Sequence, residues 1–147
     1  MLDRRDLAIL RALQEDARAT FAEIGERVGL AASTVHERVR KLERAGVIRG
    51  YRADVDAEGL GLFVTSLVSV MPLDPRQPDD LPDRVRELPE VEACHSVAGN
   101  ENYILKVRTR TTSDLEDFLR RLREKAGVQT RTTVVLSTPF ENRPIVR

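Results

Sequence analysis

The segment GLAASTVHERVRKLERAGVIRGY, Gly29 to Tyr51, constrains this chain more than any other. Val35, Val39 and Leu42 recur at helical spacing between Gly29 and Gly46, which predicts one amphipathic helix from about Ala32 to Ala45. A glycine accepts the left-handed backbone that ends a helix, so Gly29-Leu30 is read as a tight turn into this helix and Gly46 as its stop. Upstream, Asp3 with Asp6 predicts the start of a first helix, with Leu7, Leu10 and Leu13 on one stripe and Ile9 beside it. Thr20-Phe21-Ala22-Glu23 is a capping box opening a second helix that turns Ile24 and Val28 inward. Three short helices with a tight turn before the third form a helix-turn-helix, whose last helix enters the major groove of DNA.

Charge decides whether that third helix is a solvated surface or a binding face. The chain of 147 residues has 24 basic and 24 acidic side chains, so no global field steers it. Between Arg27 and Arg52 there are seven basic residues and two acidic ones, a local balance of +5 that the remaining chain cancels. With Val35, Val39 and Leu42 inward, Ala32, Ser33, Thr34, His36, Glu37, Arg40 and Lys41 point outward. The small residues at the helix start let a backbone approach. Ser33, Thr34, His36 and Glu37 are the candidates for base edges, and Arg38, Arg40, Lys41, Arg44 and Arg49 for phosphates. Ala31 stands where a Ser or Asp cap is expected, a loss of about 1 kcal/mol in helix stability.

Beyond Gly46, VIRGYRADV reads as a short extended wing or linker strand. Composition shifts near Glu58-Gly59-Leu60-Gly61. LFVTSLVSVMPL is then a strand, and Pro72, Pro75, Pro78 and Pro82 punctuate the way into a short helix ending near Leu88. VEACHSVAG and YILKVRT are strands joined by the turn GNEN. Ser113-Asp114-Leu115-Glu116 reads as a capping box for a helix facing inward through Leu115, Phe118, Leu119 and Leu122. Gly127 closes it before a fourth strand, VQTRTTVVLS. The order β-α-β-β-α-β is the ferredoxin-like arrangement, with helices on one sheet face only. The other face needs a cover, and a partner subunit is expected there. The fold class is therefore α+β: a winged helix-turn-helix domain (1–50), a hinge (51–61) and a ferredoxin-like domain (62–147).

Other chemistry is thinly represented. MLDRRDLAIL is charged too early for a signal peptide, and no apolar run reaches the length of a membrane span. The single cysteine, Cys94, fits a reducing cytoplasm. Cys94 and His95 adjoin in a strand and so point to opposite faces, and no further ligands accompany them; neither a metal site nor a cofactor is expected. Asp114, Glu116 and Asp117 cluster at a helix start, where carboxylates are favoured without catalysis. No phosphate loop, nucleophile elbow or nucleophile–base pair is present, so no catalytic residue is assigned.

Leu2-Asp3, Asp6, Ile9-Leu10, Leu13-Gln14-Glu15-Asp16-Ala17-Arg18, Val28-Gly29-Leu30, Arg38-Val39, Leu42-Glu43, Gly46-Val47-Ile48 and Gly50-Tyr51 resemble the Lrp/AsnC (leucine-responsive, feast–famine) family of bacterial regulators. Val91, Cys94, Val97, Gly99 and Tyr103, and the closing Val128, Thr130, Thr132 and Val135-Leu136, are similar to its effector-binding module. The resemblance implies a transcriptional regulator on double-stranded DNA, dimers pairing through their sheets and assembling to tetramers or octamers, and an amino-acid effector between dimers. It places the effector near the turn Gly99-Asn100-Glu101-Asn102-Tyr103, and Thr130 and Thr132 are candidate contacts. Asn100 and Asn102 stand where the family often carries Asp; Asn keeps one acceptor but loses the charge that holds an α-ammonium group. The alternatives are an orphan regulator, or an amino-acid sensor without ligand-dependent control of DNA.

Overall fold

In the computed structural model, residues 1–146 are described; Arg147, the last residue assigned to the second domain, lies outside the described residues. The chain divides into two compact units, Met1–Asp54 joined by the closing stretch from Phe140 onward, and Val55–Pro139. The closing stretch, assigned from sequence to the ferredoxin-like domain, thus belongs to the first unit. It is tied there by the Val146 N–H, which donates to Gln14 Oε1 at 3.0 Å.

The first unit comprises α1 (Arg4–Glu15), α2 (Phe21–Val28) and α3 (Ala32–Arg44). Asp3 and Asp6 form a reciprocal capping box on α1, and Thr20 and Glu23 form one on α2. Each box gives two orphan N–H groups an acceptor, which fixes where each helix begins. Ile9, Ala12, Leu13, Ile24, Val35 and Val39 meet in one core. Leu7 is exposed instead. The buried face of α1 is Ile9, Leu10, Ala12 and Leu13, so small Ala12 takes the place expected of Leu7. The turn into α3 is tight for two reasons. Gly29 is left-handed at φ 69°, and a Cβ on Gly25 would lie 2.4 Å from the Leu30 carbonyl oxygen. Only glycine at position 25 lets the Leu30 backbone approach α2 this closely.

The segment after α3 departs most clearly from the strand expected of it. No strand forms between α3 and residue 64 among the described residues; a short 3-10 turn, Glu58–Leu60, is the sole regular element. A strand exists only when another strand takes up its N–H and C=O groups, and this segment finds none in its own chain.

The second unit carries β1 (Val64–Pro72), α4 (Leu81–Val85), β2 (Val91–Ser96), β3 (Tyr103–Thr109), α5 (Thr112–Ala126) and β4 (Val128–Val134). The strands form one antiparallel sheet in the order β2-β3-β1-β4, which confirms the ferredoxin-like fold. The capping box of α5 is Thr111 with Asp114, not Ser113 with Glu116. Both pairs have the right spacing. The earlier one prevails because β3 ends at Thr109, whose hydroxyl donates to the Thr111 carbonyl. Val68, Val70, Tyr103, Leu105, Val107, Leu115, Phe118 and Leu122 build the core between the sheet and its helices. Cys94 packs against that core while the neighbouring His95 is exposed, as strand alternation requires.

Among the described residues of the second unit, no helix covers the opposite sheet face. Leu67 lies between Lys106 and Thr133, and Ser69 between Ile104 and Arg131. Leu67 is 41% exposed. At one end of this face Glu92 pairs with Lys106 and Arg108, and at the other Glu101 faces Arg131.

Candidate nucleic-acid interface and effector pocket

The outward face of α3 carries Ala32, Ser33, His36, Glu37, Arg40, Lys41 and Arg44, all exposed, while Thr34 is half-buried. Arg49, beyond the helix, is exposed too. Val35, Val39 and Leu42 point inward as their spacing predicts. Among the described residues no carboxylate pairs with Arg40, Lys41, Arg44 or Arg49; Arg44 Nε merely donates to the Arg40 carbonyl at 3.3 Å. Three unneutralised cations on the outward face of α3 produce the field that phosphates seek, and Arg49 adds a fourth beyond the helix.

Arg38 behaves differently. Its guanidinium donates to Asp3 Oδ2 and Asp6 Oδ1, each at 2.7 Å. The two carboxylates that cap α1 therefore also grip the middle of α3, about two turns from its start. The Asp6 backbone N–H, and then the Arg38 guanidinium, hold the Asp3 carboxyl below the usual carboxylate range. The same contacts hold Arg38 above its ordinary value. A cation already shared by two anions offers little net charge to a phosphate. Arg38, expected from sequence to hold a phosphate, is engaged in the first unit by Asp3 and Asp6, which tie it to the start of α1. The sequence signal was present in the Asp3–Asp6 pair, but its partner lies 32 residues away.

His36 is also held. Its ring stacks on Phe21 of α2, with centroids 4.9 Å apart and planes at 26°. At the start of α3, Ala31 offers no side-chain acceptor.

In the second unit the turn residues divide between the two sheet faces. Gly99 and Asn100 are exposed. The turn is anchored by the Asn102 N–H, which donates to the Val70 carbonyl at 3.1 Å. Glu101 accepts from Ser69 Oγ at 3.2 Å and lies 3.7 Å from Arg131, which places its carboxylate on the uncovered face. Tyr103 turns the other way. It is 7% exposed, and its hydroxyl donates to Asp79 Oδ1 at 2.5 Å. That hydrogen bond, with burial, pushes the Tyr103 pKa up to about 12.

Asn102 and Tyr103 line a cavity of about 170 Å³ under the proline-rich loop before α4. Its floor is Val70, Leu81, Ala126 and Val128, and its polar groups are Gln77, Asp79, Asp80 and Arg84. Arg84 pairs with Asp80 at 2.9 Å. Gln77 reaches over Gly127, where a Cβ would lie 2.7 Å from its amide nitrogen. The four groups supply two anions, a cation and a neutral amide above an apolar floor, the chemistry that recognises a small zwitterion. Thr130 and Thr132 pair with Val70 and Val68 on β1 and do not line this cavity. Sequence reasoning missed Gln77, Asp79, Asp80 and Arg84, which carry no motif and approach the turn only through the fold.

Comparison with known proteins bears on both surfaces. Residues 2–49 match the family described as winged helix-turn-helix DNA-binding, and residues 64–145 match the Lrp/AsnC ligand binding domain. The HTH-type transcriptional regulator LrpA of Mycobacterium tuberculosis is 46% identical over 142 residues, covering 97% of this chain and 95% of that one. A proline dehydrogenase transcriptional activator of Rhizobium radiobacter is 38% identical, covering 84% of this chain and 79% of its own. Among solved structures, a feast or famine regulatory protein from M. tuberculosis complexed with L-methionine superimposes with a TM-score of 0.97 at 44% identity, over the whole of both chains.

Proposed function

The chain belongs to the Lrp/AsnC family of transcriptional regulators, and from that premise we propose that its dimer binds a pseudo-palindromic DNA site under the control of a small amino acid. The observation that carries the DNA reading is the exposed surface of Arg40, Lys41, Arg44 and Arg49, unneutralised within the chain beside Ser33, Thr34, His36 and Glu37. Two copies of α3 would enter successive major grooves about 34 Å apart. With roughly three to five phosphate contacts in each half-site, log K falls with log salt at a slope of roughly −5 to −9. A footprint on the DNA upstream of its own gene, repeated across salt concentrations, tests this; a flat salt response refutes it.

A second copy of the chain is the cover for the open sheet face, because Leu67, Met71 and Ile104 leave an apolar centre within a charged rim. Higher assembly from dimers follows the family resemblance. No helix among the described residues is long and apolar enough to cross a membrane, and the reading is of a cytoplasmic regulator without a catalytic role.

For the effector, Asp79 supplies the negative charge that Asn102 lacks, and Arg84, paired with Asp80, lies in the same cavity. A volume of about 170 Å³ is below the roughly 300–1,000 Å³ of drug-sized ligand sites, which favours one small amino acid. The solved relative with L-methionine supports this class of ligand. Gly99, Asn100 and Asn102 would shape the mouth, with Tyr103 as the buried anchor. Thr130 and Thr132 would act on β4 outside the cavity. Thermal unfolding of the protein with each of the twenty amino acids should show stabilisation by a few of them and loss of that response in Arg84→Ala; no response at all favours the orphan-regulator alternative.

A further inference from the structure

Phe21 occupies an unusual position for a large apolar side chain. It opens α2 inside the Thr20–Glu23 capping box, directly after Thr20, yet takes no part in the core made by Ile9, Ala12, Leu13, Ile24, Val35 and Val39. It remains 37% exposed. Its partner is the ring of His36, at 4.9 Å between centroids, within the distance at which offset aromatic rings attract. His36 itself stands among the exposed residues of α3, next to Glu37 and one turn from Ser33 and Arg40.

A histidine alone on a helix surface samples several rotamers. Stacking on Phe21 selects one of them, because only that rotamer keeps the two rings in contact. The capping box makes the support stiff by fixing the backbone that bears Phe21. Stacking covers a face of the imidazole and leaves its edge nitrogens available. A neutral imidazole has one donor and one acceptor nitrogen, and a purine presents its N7 acceptor in the major groove.

We propose that Phe21 is a specificity-determining residue of this regulator: stacked on His36, it fixes the imidazole edge so that the pair reads one purine in each half-site as a single unit. The inference rests on the reading that α3 enters the major groove. Phe21 acts through His36, so removing either side chain abolishes the same discrimination.

The test uses the full-length protein. A preferred site is selected from randomised duplex DNA, and affinities are then measured on that site and its single-base changes. The variants are Phe21→Ala, Phe21→Tyr, His36→Ala and the double Phe21→Ala/His36→Ala. Phe21→Ala and His36→Ala should each lose about tenfold preference at the same base pair, the scale of one good base contact. The double variant should lose no more than either single one. Phe21→Tyr, which retains the ring, should keep the preference, and all variants should share one salt slope. Additive losses, losses at different base pairs, or an unchanged preference in Phe21→Ala overturn the proposal. Thermal melting of each variant shows whether Phe21→Ala remains folded; if it does not, the paired outcomes of Phe21→Tyr and His36→Ala decide. A wild-type protein with neither salt dependence nor base preference overturns the DNA reading as well, whereas a sequence-specific wild type with an indifferent Phe21→Ala overturns this inference alone.

Discussion

The two units solve opposite problems. The helical unit closes its own core and sets the start of α1 and α2 with reciprocal caps. What the outward face of α3 shows to solvent is mainly polar and charged. The sheet unit closes a core on one face only, and its other face shows Leu67, Met71 and Ile104. Charge without a carboxylate partner suits a polyanion that is bound and released, because counterions substitute for it readily. Apolar surface has no such substitute, so it suits an association that persists. The contrast matches the first unit to reversible recognition and the second to the standing assembly proposed above.

The largest effect should come from breaking the apolar face. Leu67→Asp places a carboxylate at the centre of the proposed sheet-to-sheet contact, where an unpaired charge costs several kcal/mol. Light scattering at micromolar concentration should then give the mass of a monomer in place of an oligomer. Because Leu67 is already 41% exposed in the single chain, the variant should keep the circular dichroism of the folded protein. An oligomer that survives the substitution would place the assembly surface elsewhere.

A smaller effect sharpens the comparison on the covered side of the sheet. Tyr103 has a raised folded pKa, about 12, against an ordinary value near 10. Its neutral form is the one that the fold favours, so its contribution is complete below pH 10 and is lost as pH rises toward 12. Denaturation midpoints measured across that interval should fall in the wild type. In Tyr103→Phe they should fall less, with the contribution of Tyr51, whose pKa burial also raises, left in place.

The parts of this molecule legible in sequence are those written locally. Thr20 and Glu23 sit three residues apart, within the reach of one helical turn, and form their box as read; Asp3 caps α1 as read, and the structure adds that Asp6 reaches back to the Asp3 N–H. Val35, Val39 and Leu42 carry their inward direction in their spacing. Where two local solutions compete, as with Thr111 and Ser113, the strand that precedes them decides, and that information lies outside the window. The extended segment after Gly46 illustrates the same limit: its composition suits a strand, but a strand also needs a neighbour. The site divides along this line. The exposed face of α3 was readable from periodicity and charge. The grip of Asp3 and Asp6 on Arg38, the Phe21–His36 stack and the meeting of Tyr103 with Asp79 depend on helices and loops brought together by packing, so no spacing announces them.

The smallest effect concerns Ala31. Ala31→Ser supplies the missing acceptor at the start of α3 and should stabilise the first unit by about 1 kcal/mol, measured as an upward shift in denaturant midpoint without a change in slope. No shift would mean that other groups already compensate for the uncapped turn.

That bare start also has a kinetic side. α1, α2 and α5 each begin with a side chain that accepts from the third residue of the helix; α3 does not. The amide protons of Ser33 and Thr34 therefore need only a small local opening to meet solvent, while those of Val39 and Leu42, deeper in the helix, require the core to part. In hydrogen–deuterium exchange the recognition helix should label from its first turn inward, which makes the end of α3 nearest the proposed base contacts its least protected.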